Sequence, residues 1–131
     1  MIALDTNMLV RLVVNDPPQQ ADIAENLLKT HSALISRTVL LETEWVLRFS
    51  YKLPRERIHA FFLLLLQTAN AMVEDEASVA RALDWYAKGA DFADALHLAA
   101  CGSAVMHTFD RGFCKAAREL GIAPEVRVWQ T

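Results

Sequence analysis

Five short runs punctuate this chain, at Ile2-Ala3-Leu4, Ala33-Leu34-Ile35, Ala71-Met72-Val73, Val105 to Phe109 and Val126 to Trp129. Each is mostly apolar and too short for a helix, and stretches with helical apolar spacing separate one from the next. Strands alternating with helices leave few possible folds. The expected architecture is an α/β fold with a parallel sheet and right-handed crossovers.

The intervening segments predict about seven helices. The first begins on Thr6-Asn7, directly after an acid, with Leu9, Val10, Leu12 and Val13 as its apolar residues. Asn15-Asp16-Pro17-Pro18 reads as a turn and a helix start, with Asp16 as the cap, and that helix ends near Thr30. A third helix is expected from Thr38 to Tyr51, and a fourth from Pro54 to about Thr68. The fourth is apolar nearly all round, which suits a core or a subunit interface. Asp75 caps a fifth helix that Gly89 ends, Asp91 begins a sixth over Phe92 to about Gly102, and Asp110 starts a seventh that stops at Gly121.

With 131 residues the chain suits one domain over 1–131, large enough for a core. Hydrophobic residues make up 53% and charged residues only 22%, which excludes a disordered or solvating protein. With a strand expected at residue 2, no signal peptide is expected. The run from Phe61 to Leu66 falls far short of the ~20 residues of a membrane span. A soluble cytoplasmic protein without membrane contact is expected. Cys101 and Cys114 stand alone, and neither they nor the four histidines show zinc-type spacing. The 13 basic and 16 acidic residues leave a formal charge of −3, mildly unfavourable for a polyanionic partner unless some acids hold cations.

Several acids occupy positions with chemical potential. Asp5 and Asp110 each follow a strand directly, at the edge where open α/β sheets bind ligands. If their strands are neighbours, about 4.8 Å separates the strand ends, a spacing at which carboxylates can share a cation. Taken alone, Asp5 reads first as a helix cap, and only the rest of the chain turns the reading toward chemistry. On the third helix, at about 100° per residue, Glu42 falls between Val46 and Phe49 and is expected to face the domain. Glu44 falls beside Arg48 and is expected to form a solvent-side i,i+4 pair. An inward Glu42 needs a cation, an arginine or a raised pKa. Asp91 and Asp94 have capping-box spacing, which accounts for Asp91 and leaves Asp94 available on the side of Leu98 and Cys101. Were Asp5, Glu42, Asp94 and Asp110 to share a crevice, all-oxygen ligation of Mg²⁺ or Mn²⁺ and phosphodiester hydrolysis would follow.

Leu4-Asp5-Thr6-Asn7, Val39-Leu40-Leu41-Glu42-Thr43, Asp91-Phe92-Ala93-Asp94-Ala95-Leu96 and Thr108-Phe109-Asp110 resemble the four acidic motifs of PIN-domain ribonucleases. More narrowly they are similar to those of the VapC toxins of prokaryotic toxin–antitoxin pairs. The resemblance covers nearly the whole chain in order. It implies a PIN-like three-layer fold with a five-stranded parallel sheet in the order 3-2-1-4-5. It also implies a Mg²⁺- or Mn²⁺-dependent endoribonuclease, a homodimer, an RNA substrate and a small VapB-like antitoxin that blocks the site. It maps the catalytic, metal-binding quartet onto Asp5, Glu42, Asp94 and Asp110, with Thr6, Asn7, Asp91 and Thr108 in support. Arg11, Arg37, Arg48 and Lys115 are candidate cations on the rim.

Two other classes compete. An aspartyl-phosphate domain also sets Asp at strand ends. A haloacid-dehalogenase-type phosphatase, however, wants an acid where Asn7 stands, and a receiver wants a lysine after the last strand. A PIN-like module that binds RNA or dimerises without cleaving is the other alternative, and the complete quartet argues against it.

Overall fold

A computed structural model of the chain describes residues 1–121 and 124–130. It contains two compact units, Met1–Glu76 and Ala77–Thr131.

The first unit holds β1 (Ile2–Ala3), α1 (Thr6–Val13), α2 (Pro18–Thr30), β2 (Ala33–Ile35), α3 (Arg37–Phe49), α4 (Arg55–Gln67) and β3 (Ala71–Val73). The strands form one parallel sheet in the order β1-β2-β3, with Ile2 opposite Ala33 and Leu34 opposite Met72. A bond from the Leu4 N–H to the Leu34 carbonyl (3.1 Å) carries the ladder past β1, so Asp5 stands at its carboxyl end. β2 alternates as a strand must: Ala33 and Ile35 are buried while Leu34 is exposed, as is Met72 beside it. The core of this unit combines Leu9 and Val10 of α1, Ala21 and Ala24 of α2, Leu40 and Leu47 of α3, and Ile58, Phe62 and Leu65 of α4. The opposite side of α4 leaves Leu63 and Leu64 exposed.

The cap of α2 differs from expectation. Pro17, not Asp16, holds the N-cap position, and no side chain caps the helix. Pro18 at the first helical position forces the residue before it into extended backbone, and Pro17 adopts that shape with ψ 149.

The second unit begins within α5 (Glu76–Ala87) and continues with α6 (Phe92–Ala100), β4 (Met106–Thr108), α7 (Lys115–Glu119) and β5 (Val126–Val128). β4 and β5 pair in parallel, and the Trp129 N–H extends the ladder to the Thr108 carbonyl at 2.9 Å. Tyr86 and Phe92 meet edge to face at 5.2 Å in its core. Gly89 takes φ 105 just beyond α5, a conformation that suits glycine and breaks the helix as expected. The seventh helix starts later than Asp110. The Asp110 carboxylate accepts from the Gly112 N–H (2.8 Å) and its carbonyl from the Phe113 N–H (3.2 Å), closing a turn instead. Cys114, at φ 47, then resets the chain for α7.

The described strands thus make a sheet of three, ordered 3-2-1, and a sheet of two, ordered 4-5, with seven helices. The single five-stranded order is not shown. No described helix is long and apolar enough to cross a membrane.

Candidate active site

In the first unit the site is built on the end of β1. Asp5 caps α1, its carboxylate accepting from the Met8 N–H at 3.3 Å. Thr6, the first residue of α1, is buried, and its hydroxyl donates to the carboxylate of Glu42 on α3. That bond brings an acid from a distant segment to the end of the strand that carries Asp5. Asp5 and Asn7 open onto a groove of about 480 Å³, lined further by Met8, Arg11, Gln20 and Ile23.

The second unit gathers the other acids. Asp91 caps α6 through the Asp94 N–H at 3.1 Å. Thr108 at the end of β4 accepts from the Asp110 N–H at 3.0 Å, which orients the turn bearing that acid. Asp94 is half-buried, and burial pushes its carboxyl above the usual range, helped by the charges of Asp91 and Asp110 and opposed by His97. Asp91 and Asp94 border a cavity of about 410 Å³ that also reaches Gly112 and Lys115. Burial, then the charge of Asp94, pushes the Cys114 thiol up to about 11.

A family model described as the PIN domain matches residues 2–119. The chain belongs to the PIN domain family. Neither a curated protein nor a solved structure matched it. PIN domains are typically nuclease modules, and their nucleases usually work with divalent metal ions.

The donors in this PIN domain suit such an ion. Carboxylate and hydroxyl oxygens are the ligands that Mg²⁺ and Mn²⁺ take, and Asp94 already carries a like-charge burden that a cation relieves. No three His, Cys, Asp or Glu side chains form a ready metal-binding group among the described residues. Asp5, Thr6 and Glu42 come together in one unit, and Asp91, Asp94, Thr108 and Asp110 lie in the other.

The two glutamates of α3 exchange the environments expected of them. Glu44 is 2% exposed, and Arg48 donates to it at 2.7 and 3.2 Å; the i,i+4 pair exists, but its acid is buried. Glu42 is exposed and is held through Thr6 rather than by burial. The inward face of α3 is Leu40-Thr43-Glu44-Leu47, while Trp45 and Phe49 stay 55% and 46% exposed. The face containing Val46 and Phe49 was therefore the wrong one to place against the core. A charge is tolerated on the inner face because Arg48 pairs with it.

Two arrangements had no sequence signal. Arg11 is gripped by Gln20 and by Tyr51, forty positions away. His107 and Trp129 stack at 5.9 Å and share a 2.7 Å hydrogen bond between neighbouring strand ends.

Proposed function

We propose that this PIN domain is a Mg²⁺- or Mn²⁺-dependent endoribonuclease, the VapC-like toxin of a prokaryotic type II toxin–antitoxin pair. The observation that carries the reading is the Thr6–Glu42 hydrogen bond, which holds a second acid beside the end of β1 where Asp5 stands. In this reading β1 lies beside β4, completing the order 3-2-1-4-5 and making residues 1–131 one domain. Asp5 and Glu42 then share a crevice with Asp94 and Asp110.

The four carboxylates would hold the metal, with Thr6 orienting Glu42 and Thr108 orienting Asp110. A bound divalent ion supplies a more acidic water and offsets charge on the phosphate. The chain contributes oxygen donors held by caps and hydroxyls before substrate arrives, which limits reorganisation during hydrolysis. Water adds to phosphorus, the bridging P–O bond breaks, and the strand leaves as two fragments.

The reading includes a homodimer, supported by the exposed Leu63 and Leu64 of α4, a VapB-like antitoxin laid across the groove, and a cytoplasmic location. Purified protein with a labelled RNA and Mn²⁺ should yield discrete fragments, and EDTA should stop the reaction. An RNA that stays intact over a range of Mg²⁺ and Mn²⁺ concentrations would refute it and favour the non-cleaving module.

A further inference from the structure

Of the four cations expected on the rim, three already face carboxylates. Arg37 meets Glu74 and Asp75 at 3.4 Å each, Arg48 meets Glu44 at 2.7 Å, and Lys115 reaches Glu119 at 3.9 Å. Arg11 is different. Its Nε donates to Gln20 Oε1 at 2.9 Å and its Nη1 to the Tyr51 hydroxyl at 3.1 Å. No carboxylate lies within ion-pair distance of it among the described residues. Two neutral acceptors fix the direction of the guanidinium without forming an ion pair. Its charge lines the groove that begins at Asp5.

Trp45 and Phe49, one turn apart, hold their rings 5.0 Å from centroid to centroid, and both remain about half exposed. The Arg48 guanidinium sits 4.4 Å from the Phe49 centroid and stiffens the pair. Glu42 precedes Trp45 by three positions and therefore stands on the same side of the helix. Tyr51, two residues past α3, links this aromatic stretch to Arg11.

We propose that this surface of the first unit is a track for an unpaired RNA strand, with Arg11 gripping a backbone phosphate and Trp45–Phe49 stacking a base. The inference deepens the nuclease reading and rests on it for the choice of RNA. Every base offers a π-face, so exposed aromatics beside a cation take single strands with little regard for sequence. The fork of a pre-oriented arginine suits a phosphate better than a lysine would. A second copy of the chain on the same surface would have to desolvate the Arg11 charge and the Glu42 carboxylate together, a costly pairing. A strand supplies the phosphate that Arg11 lacks.

Fluorescence anisotropy with a labelled oligouridylate, in EDTA so that the strand stays intact, tests the track. Trp45→Leu should weaken binding by roughly five- to 150-fold, and Trp45→Phe should restore most of it. Arg11→Gln should weaken binding and reduce the salt slope by about 0.7, the loss of one single-strand phosphate contact. Arg11→Lys should keep the slope. Thermal melts of each variant identify any that fail to fold, and the conservative partner then carries the test. Wild-type protein that does not bind the strand, or Trp45→Leu and Arg11→Gln variants that bind as the wild type does, would overturn the proposal. So would a Trp45→Leu variant that becomes monomeric in sedimentation while binding RNA unchanged, because the face would then belong to a second copy. Cleavage is scored separately with Mn²⁺. Binding that depends on Arg11 and Trp45 without cleavage overturns the nuclease reading alone, and cleavage with indifferent variants overturns the track alone.

Discussion

The hydroxyl of Thr6 donates to the carboxylate of Glu42 across 36 positions of sequence, from the first residue of α1 to the middle of α3. Glu42 is exposed, so this bond, and not a packed pocket, sets where its oxygens point. Thr6→Val keeps the shape of the buried residue and removes only the donor. On the nuclease reading, RNA cleavage should fall by roughly 10- to 100-fold, the usual effect of losing a group that orients a metal ligand. Denaturation midpoints should stay near wild type, since the freed carboxylate remains in water.

Substitutions at the two glutamates of α3 should separate chemistry from stability. Glu42→Gln changes an exposed acid, and we expect an intact fold with cleavage reduced by orders of magnitude. Glu44→Gln disrupts a buried carboxylate that accepts two bonds from Arg48. It should cost roughly 1–3 kcal/mol in urea denaturation, the range for weakening a buried charged hydrogen bond. At temperatures where the variant is folded, its cleavage should persist.

Asp94 should make stability depend on pH and, on the nuclease reading, on metal. Burial, with Asp91 and Asp110, raises its pKa above the ordinary aspartate value of 3.8, so the folded state favours the protonated form. Its contribution is fully present below 3.8 and is lost as pH rises through the folded pKa. In EDTA near neutral pH, Asp94→Asn should therefore melt above wild type, and the difference should vanish in acid. Mn²⁺ at a hundredfold excess over its dissociation constant should stabilise wild type by roughly 2.7 kcal/mol, and the variant by less. Melting curves with and without Mn²⁺, across pH, check both signs.

The cysteines should react in a fixed order. Cys114 is buried with its thiol pushed up to about 11, which leaves ~0.1% thiolate at pH 8. Cys101 is partly accessible. Iodoacetamide followed by mass spectrometry should mark Cys101 first and Cys114 only after denaturation.

Much of the local structure was legible because its causes are local. The five strands, the α6 cap at Asp91 and the break at Gly89 follow from short apolar runs, side-chain caps and backbone freedom. Asp5 shows the limit of such a reading. It does cap α1, and its place beside Glu42 depends on a bond from its neighbour Thr6 that no local pattern encodes. Asp110 shows another, because its side chain closed a turn with Gly112 before a helix could begin.

Local patterns were enough for the alternation of strand and helix, the acids at strand ends and the Glu44–Arg48 spacing, since each depends on residues within a turn or two. Tertiary structure alone decided which side of α3 is inside. That helix has apolar residues around most of its circumference, so periodicity permits more than one inward face. Packing on α1 selected the face of Leu40 and Leu47 and carried Glu44 inward with Arg48 as partner. Glu42, Trp45 and Phe49 were left on the outer surface. Burial is a property of the neighbours a helix meets, and those neighbours come from elsewhere in the chain.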